Sequence, residues 1–120
     1  MKLTRLRLTK EASNRVRFLS GKTGLAPNLL CRIGLCLSLE EPSIPNPDDF
    51  PEEDREFNRY TLLGEFDPLF VALVRQRCEK DGIHDPELLP AYFRAHLNRG
   101  IGLLQHRVRH VSDLAAIAAS

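Results

Sequence analysis

The sequence predicts a mainly α-helical single domain, with four to five helices behind one short N-terminal strand. Three observations predict it. Apolar residues recur at helical spacing in four segments, each opened or closed by proline, aspartate or glycine. Only one stretch, Leu3–Leu8, alternates with a period of two. Between the two halves, residues 40–56 set four prolines among eight Asp or Glu, a composition that neither a helix nor a central strand tolerates. A chain of 120 residues has room for one core. Residues 1–120 therefore read as one domain with three parts: a head (1–39), an acidic loop (40–56) and a helical C-terminal part (57–120).

In the strand, Arg5 and Arg7 point one way and Leu6 and Leu8 the other. A lone strand is not stable, so it must pair with another, from this chain or from a second subunit. Thr9 is placed to cap a first helix from Lys10 to about Lys22, with Ala12, Val16 and Leu19 on its inner stripe. Gly24 ends it. Pro27 suits the first turn of a second helix reaching Leu39. Leu29, Leu30, Cys31, Ile33, Leu35, Cys36, Leu37 and Leu39 cover every side of that helix, and Arg32 is its one charge. A helix apolar all round must be buried all round. So short a chain has few elements to cover it, which predicts packing between subunits. Strand, basic helix and apolar helix in that order are also the layout of ribbon-helix-helix regulators.

Beyond the acidic loop, Phe57–Leu63 reads as a short extended segment. Asp67-Pro68 opens a helix running to about Asp81, with Phe70, Leu73, Val74 and Cys78 inward. Asp85-Pro86 opens another, which reaches Leu104 and buries Tyr92 or Phe93, Leu97, Ile101 and Leu104. Gly100 and Gly102 predict a bend or a close approach there. Gln105–Ser120 reads as a short helix with an alanine-rich end.

The charge is arranged in blocks. Residues 1–39 hold eight Lys or Arg against one Glu, a net of +7, and residues 40–56 hold eight acids against one Arg, a net of −7. The formal total of +1 hides this split. A basic head points to a polyanion, and Arg5, Arg7, Lys10, Arg15, Arg17 and Lys22 are the candidate DNA-contacting residues. The plain alternative is a solvated basic face. The Lys22-Thr23-Gly24 turn and the helix start near Asn28 add backbone N–H groups that favour phosphate. The acidic loop admits three readings: a Mg²⁺ site, a DNA mimic that neutralises a neighbouring head, or a solvated connector.

Other classes are disfavoured. No apolar run approaches the ~20 residues of a membrane span, and no secretory signal is visible. Three cysteines, none in a CxxC pair, read as buried packing thiols in a reducing cytoplasm. His106 and His110 share a helical face, but without an HExxH motif they read as part of a small basic patch with Arg107 and Arg109. No P-loop, GxGxxG or GxSxG is present, so no catalytic residue, metal ligand or cofactor is assigned.

Three runs carry a resemblance: Lys22-Thr23-Gly24-Leu25-Ala26-Pro27-Asn28-Leu29-Leu30-Cys31-Arg32, Asn58-Arg59-Tyr60-Thr61-Leu62-Leu63-Gly64-Glu65, and His96-Leu97-Asn98-Arg99-Gly100-Ile101. In this order they resemble the DndE family, over nearly the whole chain. The resemblance implies a component of the DNA phosphorothioation system, in which sulfur replaces a non-bridging oxygen of the DNA backbone. It implies a homo-oligomer, in the family picture a tetramer, that binds nicked double-stranded DNA and works with the other phosphorothioation proteins. The family's DNA surface is lysine-rich, whereas this head carries mostly arginine. The leading expectation is therefore a DNA-binding subunit without sequence preference. A DNA nickase of the same pathway and a non-catalytic scaffold for the modification complex are the alternatives.

Overall fold

The structure, a computed structural model, describes Leu3 and residues 5–108. Strand β1 (Arg5–Arg7) leads into α1 (Lys10–Thr23) and α2 (Pro27–Glu40). The acidic loop follows, with one 3-10 turn at Pro47–Asp49. Strand β2 (Glu56–Asn58) runs straight into the short helix α3 (Arg59–Leu63). Helices α4 (Asp67–Lys80) and α5 (Leu89–Arg107) follow, each preceded by a 3-10 turn. The predicted mainly helical architecture is observed, among the described residues as four long helices, one short one and a two-stranded sheet.

The head forms for the reasons its sequence advertises. The Thr9 hydroxyl accepts the Ala12 N–H at 3.0 Å. Gly24 closes α1 at φ 76°, a left-handed conformation open to glycine at little cost, and its N–H donates to the Ser20 carbonyl. Ala12, Val16 and Leu19 are buried as predicted. The partner strand comes from the same chain: β1 pairs antiparallel with β2, matching Arg5 with Asn58, Leu6 with Phe57 and Arg7 with Glu56. The ribbon is thus intramolecular, unlike that of a ribbon-helix-helix dimer. Sequence spacing did not show this because β2 is only three residues long and lies fifty residues away.

Helix α2 is the centre of the domain. It runs antiparallel to α5, with Gly34 against Gly100 and Ser38 against His96. At the crossing a Cβ on Gly34 would lie 2.9 Å from the Gly100 carbonyl carbon, and one on Gly100 would overlap the Gly34 carbonyl. The two backbones touch, so the close approach predicted from Gly100 is real and no bend is needed. Helices α5, α1 and α3 cover most of α2, and Leu30, Cys31 and Leu35 are fully buried. The cover expected from a second subunit is therefore largely supplied by the chain itself. What remains open is a shallow apolar groove lined by Leu29, Ile33, Cys36, Phe66 and Leu69.

Smaller differences have local causes. Residues 57–63 are strand only to Asn58, whose side chain then caps α3 by accepting the Tyr60 and Thr61 N–H groups. Asp67 does not cap α4, because Arg59 takes both of its carboxylate oxygens, at 2.7 and 2.8 Å. On α4, Val71 is buried in place of the predicted Leu73, which is 38 % exposed. Cys31 and Cys78 are buried as predicted, but Cys36 is exposed on the groove. Helix α5 runs on past the predicted end at Leu104 to Arg107, and the rest of the predicted tail helix, with His110, lies outside the described residues.

Candidate nucleic-acid interface

The six candidate DNA-contacting cations of the head occupy three different environments. Lys10 and Arg17 lie one above the other on the outer stripe of α1, with Asn14 and Gly21 on the same stripe, and Lys22 lies on the flank. All three cations are exposed. Among the described residues no carboxylate is within ion-pair distance of Lys10, Arg17 or Lys22; Arg17 donates only to Asn14 Oδ1, at 3.1 Å. The Lys22 ammonium sits 5.7 Å from the centre of the Phe18 ring, an exposed aromatic on the same face.

The other three are engaged. Arg15 pairs with Glu11 one turn back and lies across α5, where a Cβ on Gly102 would be 2.9 Å from its Nη1. Arg5 and Arg7 share one carboxylate: Glu56 stands 3.2 Å from Arg5 and 3.5 Å from Arg7. Near the start of α1, Asp49 and Glu53 of the acidic loop line the same cleft as Lys10 and Arg15. The positive head is therefore interleaved with acid from its own chain.

That loop is a built part of the domain. Arg94 donates to the Phe50 carbonyl at 2.9 Å and pairs with Glu52 at 2.9 Å. Arg77 and Arg99 both donate to the Ser43 carbonyl, and they also take the Leu39 and Ser38 carbonyls at the end of α2, where cations complement the helix dipole. Asn46 caps the 3-10 turn by accepting the Asp48 N–H.

Sequence reasoning missed Asn98. Its Oδ1 accepts the Thr9 N–H at 2.9 Å, and its Nδ2 donates to the Arg7 and Arg94 carbonyls. One buried amide on α5 thus fixes the junction between β1 and α1, and with it the placement of the cations on either side. The signal was an asparagine between Leu97 and Ile101, where the helical period calls for an apolar side chain.

His96 is also buried, with Nδ1 2.8 Å from Ser38 Oγ. Arg99 can only donate, so Ser38 Oγ accepts from it at 2.9 Å and has its own proton for His96 Nδ1. His96 Nε2 finds no partner. Burial, with Arg99 and Arg77 close behind it, pushes the imidazole down to about 3. An unfolded chain binds that proton near 6.5, so stability falls as pH drops from there towards 3, by up to about 1.4 kcal/mol per pH unit. Denaturant midpoints measured from about pH 7 to pH 5 should show this slope in the wild type and a flatter one in His96→Gln. Parallel profiles would exclude His96 as its source.

Among the described residues no group of three or more His, Cys, Asp or Glu side chains is gathered as a metal ion would need. No described helix is long and apolar enough to cross a membrane.

The comparisons with known proteins follow the same lines. The fold is similar to the crystal structure of DndE from Escherichia coli B7A, a protein involved in DNA phosphorothioation modification: TM-score 0.70 at 23 % identity, covering 87 % of this chain and 98 % of that one. It is also similar to the crystal structure of a G21/24K mutant of DndE involved in DNA phosphorothioation, with TM-score 0.63 at 20 % identity, covering 85 % of this chain and 99 % of that one. No curated protein sequence matches. A family model described as DNA sulphur modification protein DndE matches residues 5–112. With nearly its whole length matched, the chain belongs to the DndE family.

Proposed function

We propose that this protein is a non-catalytic DNA-binding component of the DNA phosphorothioation system. It meets double-stranded DNA, nicked in preference to intact, through the outer face of α1 and without reading sequence. The observation that carries this reading is the exposed set Lys10, Arg17 and Lys22, gathered on one helix of the basic head and free of carboxylate partners among the described residues. Such a set neutralises phosphates, a contact that carries no sequence information. A nick lowers the cost of bending duplex DNA against a rigid surface, which favours nicked over intact duplex. The apolar groove of Leu29, Ile33, Cys36, Phe66 and Leu69 supports a homo-oligomer as the working form, a tetramer in this reading, which docks with the other phosphorothioation proteins.

Mobility shifts of nicked, intact and single-stranded DNA across a salt series test this. Affinity should fall steeply with salt, and each single Lys10→Ala, Arg17→Ala or Lys22→Ala change should lower the log–log slope by roughly one. The combined charge reversal to Glu at all three positions should abolish binding and leave the oligomer size unchanged. Normal binding by that triple variant would rule out this face.

A further inference from the structure

Arg5 and Arg7 stand on one face of β1 and converge on a single anion. Glu56 Oε2 is 3.2 Å from Arg5 Nη1, and Glu56 Oε1 is 3.5 Å from Arg7 Nε. Charge-assisted N–H···O contacts settle at about 2.7–2.9 Å. The Arg59–Asp67 pair of the same molecule reaches 2.7 and 2.8 Å. Both arms of the Glu56 contact are therefore long. The reason is the tether: Glu56 faces Arg7 in the sheet register, and two backbone bonds between Leu8 and residues 54–55, at 2.8 and 3.0 Å, lock that register. From this fixed Cβ one carboxylate spans two guanidiniums and meets neither at its best distance. The site is open, with the Arg5 and Arg7 side chains 69 % and 45 % exposed.

We propose that Arg5 and Arg7 form a phosphate site for nucleic acid, occupied in the free protein by Glu56, which acts as an internal competitor that a DNA phosphate must displace. A backbone phosphate arrives from solvent and sets its own distance to both arginines, which the tethered carboxylate does not. Glu56 only has to rotate about its own side chain to vacate the place; β2 stays paired. The inference rests on the reading of α1 as a DNA surface. It adds that the strand cations join that surface conditionally, while Lys10, Arg17 and Lys22 are available from the start.

A double-mutant cycle with nicked duplex as the probe decides it. The proteins are the full-length wild type, Glu56→Gln, Arg5→Ala/Arg7→Ala, and all three changes together. Glu56→Gln keeps the side-chain length and removes the charge. It should tighten binding by roughly three- to tenfold and steepen the salt slope by about one, the mark of one more neutralised phosphate. Removing both arginines should cost less than about twofold in the wild type and about tenfold in the Glu56→Gln background, a coupling that independent sites do not show. Equal losses in the two backgrounds would overturn the proposal, because they describe ordinary loss of a repelling charge. Thermal midpoints close to wild type establish that each variant is folded. A wild-type protein that binds no nicked duplex at low salt defeats the DNA reading and this inference together. Wild-type binding with an additive cycle defeats the inference alone.

Discussion

Gly100→Ala is expected to leave little folded protein. The added methyl would overlap the Gly34 carbonyl and come 2.9 Å from the Leu35 nitrogen, both in the backbone of the facing helix. A side-chain clash is relieved by a rotamer change, but backbone against backbone is relieved only by moving α2 off α5. That separation would open the centre of the core, where Leu35, Leu97 and Ile101 are fully buried. Overpacking usually costs about 1–3 kcal/mol, and rigid sites lie at or beyond the top of that range. A cost of about 4 kcal/mol or more is a large share of the roughly 5–15 kcal/mol that holds such a domain folded. Gly34→Ala should be milder though still destabilising, since its nearest backbone contacts are 2.9–3.0 Å instead of an outright overlap. Gly21→Ala meets nothing within 4 Å and should be neutral or stabilise α1 by up to about 1 kcal/mol. Denaturant midpoints of the three variants should rise in that order. A Gly100→Ala protein as stable as the wild type would mean that the helices do not cross in backbone contact.

Arg59→Ala should cost about 2–4 kcal/mol, between the value of an exposed pair and that of stripping one partner from a fully buried one. Arg59 holds both Asp67 oxygens, and its Nη1 donates to the Leu3 carbonyl at 3.0 Å. Its side chain is 19 % exposed and that of Asp67 is 9 % exposed. Without the guanidinium, a nearly buried carboxylate is left with no counter-charge and the chain entering β1 loses its anchor. Arg59→Lys should recover only part of the loss, because an ammonium cannot make the two-pronged contact. The Arg59 contact also holds the Asp67 carboxyl below its ordinary 3.8. The pair's contribution is therefore complete above that value and fades as pH falls below it. By contrast, Glu11→Ala removes an exposed one-turn pair with Arg15 and should change stability by no more than about 0.5 kcal/mol. Thermal melts of these variants measure the contrast; a shift of only a few degrees for Arg59→Ala would show that the pair is structurally idle.

The three runs that carry the family resemblance turn out to be largely architectural. Asn58 caps α3 and Arg59 clamps Asp67. His96, Asn98, Arg99 and Gly100 respectively meet Ser38, the β1–α1 junction, the end of α2 and the Gly34 backbone. In this chain they assemble the frame on which the helices pack. The proposed DNA-facing cations lie mostly outside them, and Lys22 alone falls within one of the runs.

The start, stop and inner face of α1 were legible in the sequence because they depend on neighbours one turn away. Thr9, Gly24 and the stripe of Ala12, Val16 and Leu19 behave as their spacing requires. The concentration of positive charge in the head was legible too, being a property of composition. What covers α2, which strand pairs with β1, and which cations keep an acid beside them were decided only in three dimensions. Each depends on residues far apart in the chain: Gly34 with Gly100, Arg7 with Glu56, Thr9 with Asn98. Local periodicity carries no information about such pairs, because the free energy that selects them comes from packing and charge pairing that exist only once the chain has closed on itself.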